Sequence, residues 1–88
     1  MPSRTVEMRN KRGLHARASA KFVTMAAGLE AEVEVEKDGN RVCGTSIMGL
    51  MMLGAAYGDS ITIHTGGDGA DAALEGLVRL VEERFGEE

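Results

Sequence analysis

The chain of 88 residues is poor in cysteine, in aromatic side chains and in long apolar runs. Its single cysteine, Cys43, excludes a disulfide within the chain. The scarce aromatic residues, Phe22, Tyr57 and Phe85, argue against a surface on which nucleic-acid bases stack. No apolar run approaches the length of a bilayer span, so no membrane insertion is expected. The first residues lack the apolar core of a signal peptide, and the expected location is the cytoplasm.

Basic residues are also in the minority, ten against fourteen acidic ones, and the net charge is −4. This balance argues against nucleic acid or an anionic membrane as a partner. The net charge does not exclude a local basic patch, which would consist of Arg9, Lys11, Arg12 and Arg17. A chain of this length is expected to form one domain over residues 1–88, with a mainly aliphatic core in which methionine fills irregular gaps.

Hydrophobic periodicity predicts seven elements in the order strand, helix, strand, strand, helix, strand, helix. Alternation predicts strands over residues 5–8, 30–36, 41–43 and 60–64. Helical spacing predicts helices over residues 16–27 and 47–53, and from residue 70 or 71 to about Phe85. The apolar stripe of the first helix is expected at Ala16, Ala20, Val23 and Ala27. This order predicts an α+β fold in which three helices cover one face of a four-stranded antiparallel sheet, with the other face open to water.

The first motif, residues 13–17 (GLHAR), places a histidine where a helix begins. The first N–H groups of a helix lack intrahelical partners and carry partial positive charge, so they favour an anion. Arg17 adds a planar fork of donors, and Gly13 permits a tight turn. Histidine forms covalent intermediates, so the motif suits a phosphoryl acceptor at His15. These five residues alone do not distinguish that site from a partly exposed helix-capping histidine beside a solvated arginine.

The second motif, residues 46–54 (SIMGLMMLG), is apolar nearly all round after its serine. Ser46 suits the N-cap position, and a glycine closes the segment. A two-turn helix without a polar face is either wholly buried or partly exposed as a docking patch. We expect partial exposure of Ile47, Met48 and Met51, with burial in the core as the alternative.

Two other features contain residue types that bind metals. Alternating glutamates lie on one side of the second strand, at Glu30, Glu32, Glu34 and Glu36. Without a nearby histidine they do not converge on an ion, so a solvated sheet face is expected. His64 is expected to be a surface strand residue, and the glycine-rich turn at residues 66–69 follows no phosphate-binding fingerprint. The sequence therefore predicts no metal and no cofactor.

The two motifs, in this order and in a chain of this length, resemble the histidine-containing phosphocarrier (HPr) family of the bacterial phosphoenolpyruvate-dependent phosphotransferase system. The resemblance covers essentially the whole chain and implies an open-faced β-sandwich. It also implies a phosphoryl carrier, not an enzyme with its own substrate pocket, that accepts phosphate from Enzyme I and passes it to an Enzyme IIA protein. The chain departs from the family at Ala18, where proline is usual, and at Met52, where a small polar residue is common. These departures bear on partner choice and on the rigidity of the turn.

The resemblance further implies roles for individual residues. His15 corresponds to the phosphorylated histidine, with Nδ1, the pros nitrogen, as the acceptor, and Arg17 to the phosphate-binding arginine. Ser46 corresponds to the serine modified by the regulatory HPr kinase/phosphorylase. The implied docking residues are Ala16, Ile47, Met48, Met51 and Gly54.

Two other functions remain as alternatives. The first is a regulatory binding protein of the same fold that acts through Ser46 phosphorylation without carrying phosphate on histidine. The presence of His15 favours the phosphoryl carrier over this alternative, because a non-carrier would not need that histidine. The second is a small ligand-binding or RNA-binding α+β module, which the acidic balance and the missing aromatics weaken. A monomer is expected. The onward route of the phosphate, to sugar uptake, nitrogen regulation or other signalling, stays open.

Overall fold

The computed structural model describes residues 2–87, so Met1 and Glu88, the ends of the predicted domain, lie outside the described residues. The elements follow the predicted order and are bounded as β1 (Ser3–Glu7), α1 (Ala16–Ala27), β2 (Glu32–Lys37), β3 (Asn40–Cys43), α2 (Ile47–Met52), β4 (Ser60–Gly66) and α3 (Ala70–Glu82). A single 3₁₀ turn (Arg84–Gly86) follows α3. Among the described residues, no helix is long and apolar enough to cross a membrane.

The four strands form one antiparallel sheet in the order β1-β4-β2-β3. A tight turn at Asp38 and Gly39, both with positive φ, joins β2 to β3, as the Asp-Gly pair predicts. Alternation along β2 and β4 buries one face, at Val33, Val35, Ile61 and Ile63. The opposite face is polar and partly exposed, so the predicted open-faced, two-layer architecture is confirmed.

The core lies between the sheet and its helical layer. Helix α3 contributes one apolar stripe, and the buried residues of that helix are Ala73, Leu74, Leu77, Val78 and Val81. Helix α1 contributes a different face from the one that the sequence predicts. Its buried residues are Ala18, Ser19, Phe22 and Ala26, whereas Ala16 and Ala27 are exposed. The predicted stripe is wrong because Phe22, the largest apolar side chain of the helix, sets its rotation, and alanines gain little by burial.

The C-terminal segment also departs from the prediction. Helix α3 ends at Glu82, and three successive residues then adopt left-handed conformations, with φ of 60° at Arg84, 54° at Phe85 and 77° at Gly86. Such angles cost a non-glycine residue about 1 kcal/mol or more. Arg84 and Phe85 together therefore cost about 2 kcal/mol or more. The complete burial of Phe85 offsets much of this cost, since a buried aromatic side chain contributes about 2 kcal/mol. The chain therefore turns back across the domain instead of continuing as a helix.

Candidate functional site

His15 is the N-cap residue of α1, with extended backbone angles (φ −74°, ψ 180°). Its carbonyl accepts the first helical hydrogen bond, from the N–H of Ser19 at 2.9 Å. The preceding N–H groups, of Ala16, Arg17 and Ala18, therefore lack intrahelical partners. His15 therefore occupies the cap position, but its imidazole makes no capping hydrogen bond. The cap position places His15 next to these uncommitted backbone donors in the chain.

The His15 ring is engaged through one nitrogen only. Nε2 lies 2.6 Å from Oε2 of Glu87, and the two side chains are each 17% exposed. Nδ1 has no hydrogen-bond partner within residues 2–87. His15 is thus half-buried, with its predicted acceptor nitrogen unoccupied by protein.

Glu87 and Asn10 belong to this site, and the sequence analysis missed both. The fully buried Asn10 donates from Nδ2 to Oε1 of Glu87 at 3.1 Å and to the carbonyl of Gly13 at 2.7 Å. Burial raises the pKa of Glu87, but hydrogen bonds from His15 and Asn10, together with the charge of Arg17, outweigh it and leave that pKa lowered. Glu87 is therefore an anion at neutral pH. The only signal in the sequence was Phe85, an apolar residue that anchors the tail after a helix.

Arg17 is exposed and makes no side-chain hydrogen bond or ion pair within residues 2–87. It lines one shallow depression together with His15, Glu87, Lys11 and Arg12. The other predicted cation, Arg9, lines an adjacent depression with Lys11, Tyr57 and Arg84. Three of the four cations predicted from the sequence, Lys11, Arg12 and Arg17, thus line the same depression as the histidine.

Gly13 is the residue that brings the two motifs together. Its φ is +61°, and a Cβ at this position would collide with the carbonyl oxygen of Ala55. The next N–H, of Leu14, donates to that same carbonyl at 2.9 Å. Glycine is required because the turn needs both a left-handed angle and this close approach. The histidine turn is consequently fixed to the chain that leaves α2.

The departure from the family pattern at Ala18 leaves the helix start intact. Ala18 is completely buried and lies in the first turn of α1, which begins at Ala16 without help from a proline. Alanine is the best helix former, which accounts for this. It also retains a backbone N–H that proline would remove.

Ser46 is the N-cap of α2, as predicted. Its Oγ accepts a hydrogen bond from the N–H of Gly49 at 3.0 Å, and its carbonyl accepts from Leu50 at 3.0 Å. At the other end, Gly54 follows the helix with φ +67°, the left-handed conformation typical of a helix terminus.

Helix α2 buries one side and exposes the other. Leu50 and Leu53 are buried, whereas Ile47, Met48 and Met51 are 40%, 69% and 41% exposed. The predicted partial exposure is confirmed. Two further predicted docking residues, Ala16 and Gly54, are also exposed, and so is Met52. We call Ile47, Met48 and Met51 the apolar patch.

His64 lies on the open face of the sheet, as expected for a surface strand residue. Its Nε2 is 2.8 Å from Oε1 of Glu36, and Arg41 donates to both Glu34 and Glu36. These hydrogen bonds, that from His64 first, lower the pKa of Glu36. The residues form an ion-pair cluster, and no group of histidine, cysteine or carboxylate residues suited to a metal occurs in the described part of the chain.

An open-faced sandwich with a half-buried histidine at a helix start, an exposed arginine two residues on and an exposed apolar patch on the short helix is typical of histidine phosphocarrier proteins. The family model for the PTS HPr component phosphorylation site matches residues 2–83. The chain therefore belongs to the HPr family of phosphotransferase-system phosphocarriers. The phosphocarrier protein HPr of Neisseria meningitidis is 47% identical over 87 residues, which cover 99% of this chain and 98% of the relative.

Solved structures agree with this assignment. A crystal structure of HPr from Thermoanaerobacter tengcongensis matches with a TM-score of 0.95 and 43% identity, covering 100% of this chain and 99% of that one. A structure of an HPr dimer from the same organism has a TM-score of 0.78 and 42% identity, and covers 99% of this chain and 100% of that one. Since that relative is described as a dimer, the monomer expected for this chain stays a prediction.

Proposed function

We propose that this chain, taken over residues 1–88 as one domain, carries a phosphoryl group on Nδ1 of His15. It receives the group from phosphorylated Enzyme I in the cytoplasm and delivers it to an Enzyme IIA protein. The observation that carries the proposal is a histidine at the N-cap of α1 whose Nδ1 has no hydrogen-bond partner within residues 2–87, next in the chain to N–H groups that have no helical partner. A phosphate on that nitrogen would meet the positive end of the helix dipole.

Arg17 supplies the second charge of the proposed acceptor. Arg17 is exposed and its guanidinium has no ion pair within residues 2–87, so it can donate to phosphate oxygens as charge develops on them. A well-placed donor of this kind is worth about 3 kcal/mol in the transition state. Arg17→Ala should therefore slow transfer roughly 100-fold without lowering the melting temperature, and Arg17→Lys should restore only part of the rate. Wild-type rates with early melting would instead assign Arg17 a structural role.

The apolar patch is the proposed docking surface for Enzyme I and Enzyme IIA. Exposed methionine and isoleucine side chains leave apolar area in water that a partner would cover. The patch is joined to the histidine turn through Gly13 and Ala55, so a partner seated on it would reach His15. Ala16, which follows His15 in the chain, and Gly54, which follows α2, are also exposed.

Ser46 is the proposed regulatory site, modified by HPr kinase/phosphorylase. Its Oγ already accepts a hydrogen bond from Gly49, and a phosphate there would keep acceptor oxygens at the helix N-terminus. The fold would therefore persist, while two negative charges would appear at the border of the apolar patch. A partner that covers the patch would have to desolvate these charges, and an acidic partner surface would be repelled by them. Enzyme I would therefore bind more weakly.

Ser46→Asp tests this regulation, because aspartate is also a good N-cap. Its melting temperature should match that of the wild type, while transfer from Enzyme I should slow and added salt should partly relieve the inhibition. Normal Enzyme I kinetics in Ser46→Asp would leave Ser46 as a cap only.

The carrier function itself is tested by labelling with phosphoenolpyruvate and Enzyme I. We expect one acid-labile phosphoryl group per chain in the wild type and in His64→Ala, and none in His15→Ala. The His64 variant is the matched control, since it removes the other histidine, which lies on the opposite side of the sheet. An unlabelled but folded wild type would instead favour a regulatory protein that acts through Ser46.

A further inference from the structure

We propose that Glu87 is a positioning residue for His15: it accepts the proton-bearing Nε2 and so keeps the lone pair on Nδ1, the nitrogen that takes the phosphoryl group. This inference rests on the proposed function, because it concerns the same acceptor nitrogen. It assigns a role to the C-terminal tail, which neither motif contains.

The contact leaves one choice of tautomer. A neutral imidazole carries one N–H and one lone pair, and the hydrogen bond made by one nitrogen decides which is which. An ionised carboxylate can only accept, so Nε2 at 2.6 Å from Oε2 of Glu87 must be the donor. Nδ1, which has no partner within residues 2–87, then holds the lone pair.

Asn10 holds the carboxylate in place from its other oxygen. It donates from Nδ2 to Oε1 of Glu87 and to the carbonyl of Gly13, and it is completely buried. The 2.7 Å bond to Gly13 fixes the orientation of the amide, because turning it over would place its oxygen against a carbonyl. Asn10 and His15 thus both donate to Glu87, one to each oxygen of its carboxylate.

Packing and hydrogen bonds hold the C-terminal tail, residues 83–87, against the site. Phe85 is buried in the core, and its carbonyl accepts a hydrogen bond from Nζ of Lys21 at 2.7 Å. The N–H of Glu87 donates to the carbonyl of Arg84 at 2.8 Å. Left-handed angles at Arg84, Phe85 and Gly86 are what direct the chain back towards α1. These strained angles persist because the burial of Phe85 and the hydrogen bonds of the tail hold the backbone in this conformation.

The arrangement also suits the chemistry of transfer. As Nδ1 bonds to phosphorus, the bond from phosphorus to the donor breaks and its electron pair leaves with the donor. The ring keeps its proton on Nε2 and becomes positively charged, facing the carboxylate of Glu87. In serine hydrolases, a carboxylate likewise holds a histidine in one tautomer and stabilises the imidazolium that forms. In metal sites, a carboxylate fixes the tautomer and the orientation of a ligating histidine in the same way. Arg17 lies near enough to offset the repulsion between Glu87 and the phosphate.

The structure makes Glu87→Gln the decisive variant. Asn10 would still donate to the carbonyl oxygen of the new amide, which would turn the NH₂ group towards His15. Nε2 would then have to accept, and the proton would move to Nδ1, where it blocks attack. The nearly isosteric Glu87→Gln should therefore be worse than the truncated Glu87→Ala. A purely structural role would give the opposite order.

The test has two readouts. Nitrogen-15 NMR of the unphosphorylated protein, at a pH where the ring is neutral, reports the His15 tautomer. We expect Nε2–H in the wild type, a mixture in Glu87→Ala and Nδ1–H in Glu87→Gln. Transfer from Enzyme I should slow by about tenfold in Glu87→Ala and by a further factor of about ten or more in Glu87→Gln. Glu75→Ala, which removes an exposed glutamate of α3, is the charge-matched control and should behave as the wild type.

The outcomes separate this inference from the proposed function. An Nδ1–H tautomer in the wild type, or Glu87→Gln transferring at least as fast as Glu87→Ala, would overturn the role of Glu87. Faster transfer in Glu87→Ala than in the wild type would also overturn it, since the carboxylate would then be an obstacle. Failure of Enzyme I to label His15 would refute the carrier function but leave the tautomer measurement valid.

Discussion

Met48→Asp separates docking from folding at the apolar patch. Met48 is 69% exposed, so folding removes only about a third of its side chain from water. Full burial of a methionine is worth about 1.5–3 kcal/mol, so the substitution forfeits about 0.5–1 kcal/mol. The site is in the first turn of α2, where a negative charge is favoured by the helix dipole and recovers part of that loss.

Binding should respond far more strongly than stability. A partner that covers the patch would have to desolvate an unpaired carboxylate, at a cost of about 3 kcal/mol, or roughly 100-fold in Kd for Enzyme I. The melting temperature should fall by no more than about 5 °C in a domain of this size. Calorimetric titration with Enzyme I and thermal denaturation measure the two effects on one sample.

Two matched variants control this experiment. Met48→Leu keeps the apolar area and should bind normally, whereas Leu50→Asp places a charge in the core and should unfold the domain, because Leu50 is completely buried. If Met48→Asp bound Enzyme I within about threefold of the wild type, the patch would not be the docking surface. If it unfolded like Leu50→Asp, the residue would belong to the core.

Three further predictions concern stability. Gly13→Ala should lower the free energy of unfolding by about 2–4 kcal/mol, since it imposes a left-handed alanine and a clash with Ala55; a neutral melting temperature would refute the tight turn. Ser46→Ala should cost about 1 kcal/mol by removing the cap, a loss that Ser46→Asp should not show in denaturant titrations. Glu36→Gln should destabilise the protein above the ordinary glutamate pKa of 4.5. Because the pKa of Glu36 is lowered in the folded protein, its stabilising contribution is complete above 4.5 and is lost as the pH falls through the lowered, folded-state pKa. The melting temperatures of the wild type and of Glu36→Gln should therefore converge in acid and stay apart at neutral pH.

Local chemistry explains which parts of the site the sequence predicted. A histidine before a run of helix formers and a serine before an apolar segment are N-terminal signals that depend only on neighbouring residues. The structure bears out both helix starts. The exposure of α2 followed from its lack of a polar face, because a small domain cannot surround such a helix.

Long-range contacts account for what the sequence did not predict. The contact between Glu87 and His15 joins residues 72 positions apart, and it depends on left-handed angles at Arg84 and Phe85 that residue preferences oppose. The rotation of α1 was missed for a related reason. Alanine-rich spacing fits several helical faces, and only the burial of Phe22 in the core selects one.

The most direct test of the carrier function is a pulse–chase experiment. The chain is loaded from labelled phosphoenolpyruvate and catalytic Enzyme I, separated from the donor, and then mixed with an Enzyme IIA protein. We predict that the label first resides on Nδ1 of His15 and then leaves this chain for Enzyme IIA. Label that never reaches His15, or that stays there when every available Enzyme IIA acceptor is offered, would contradict the assignment of this chain as a phosphoryl carrier.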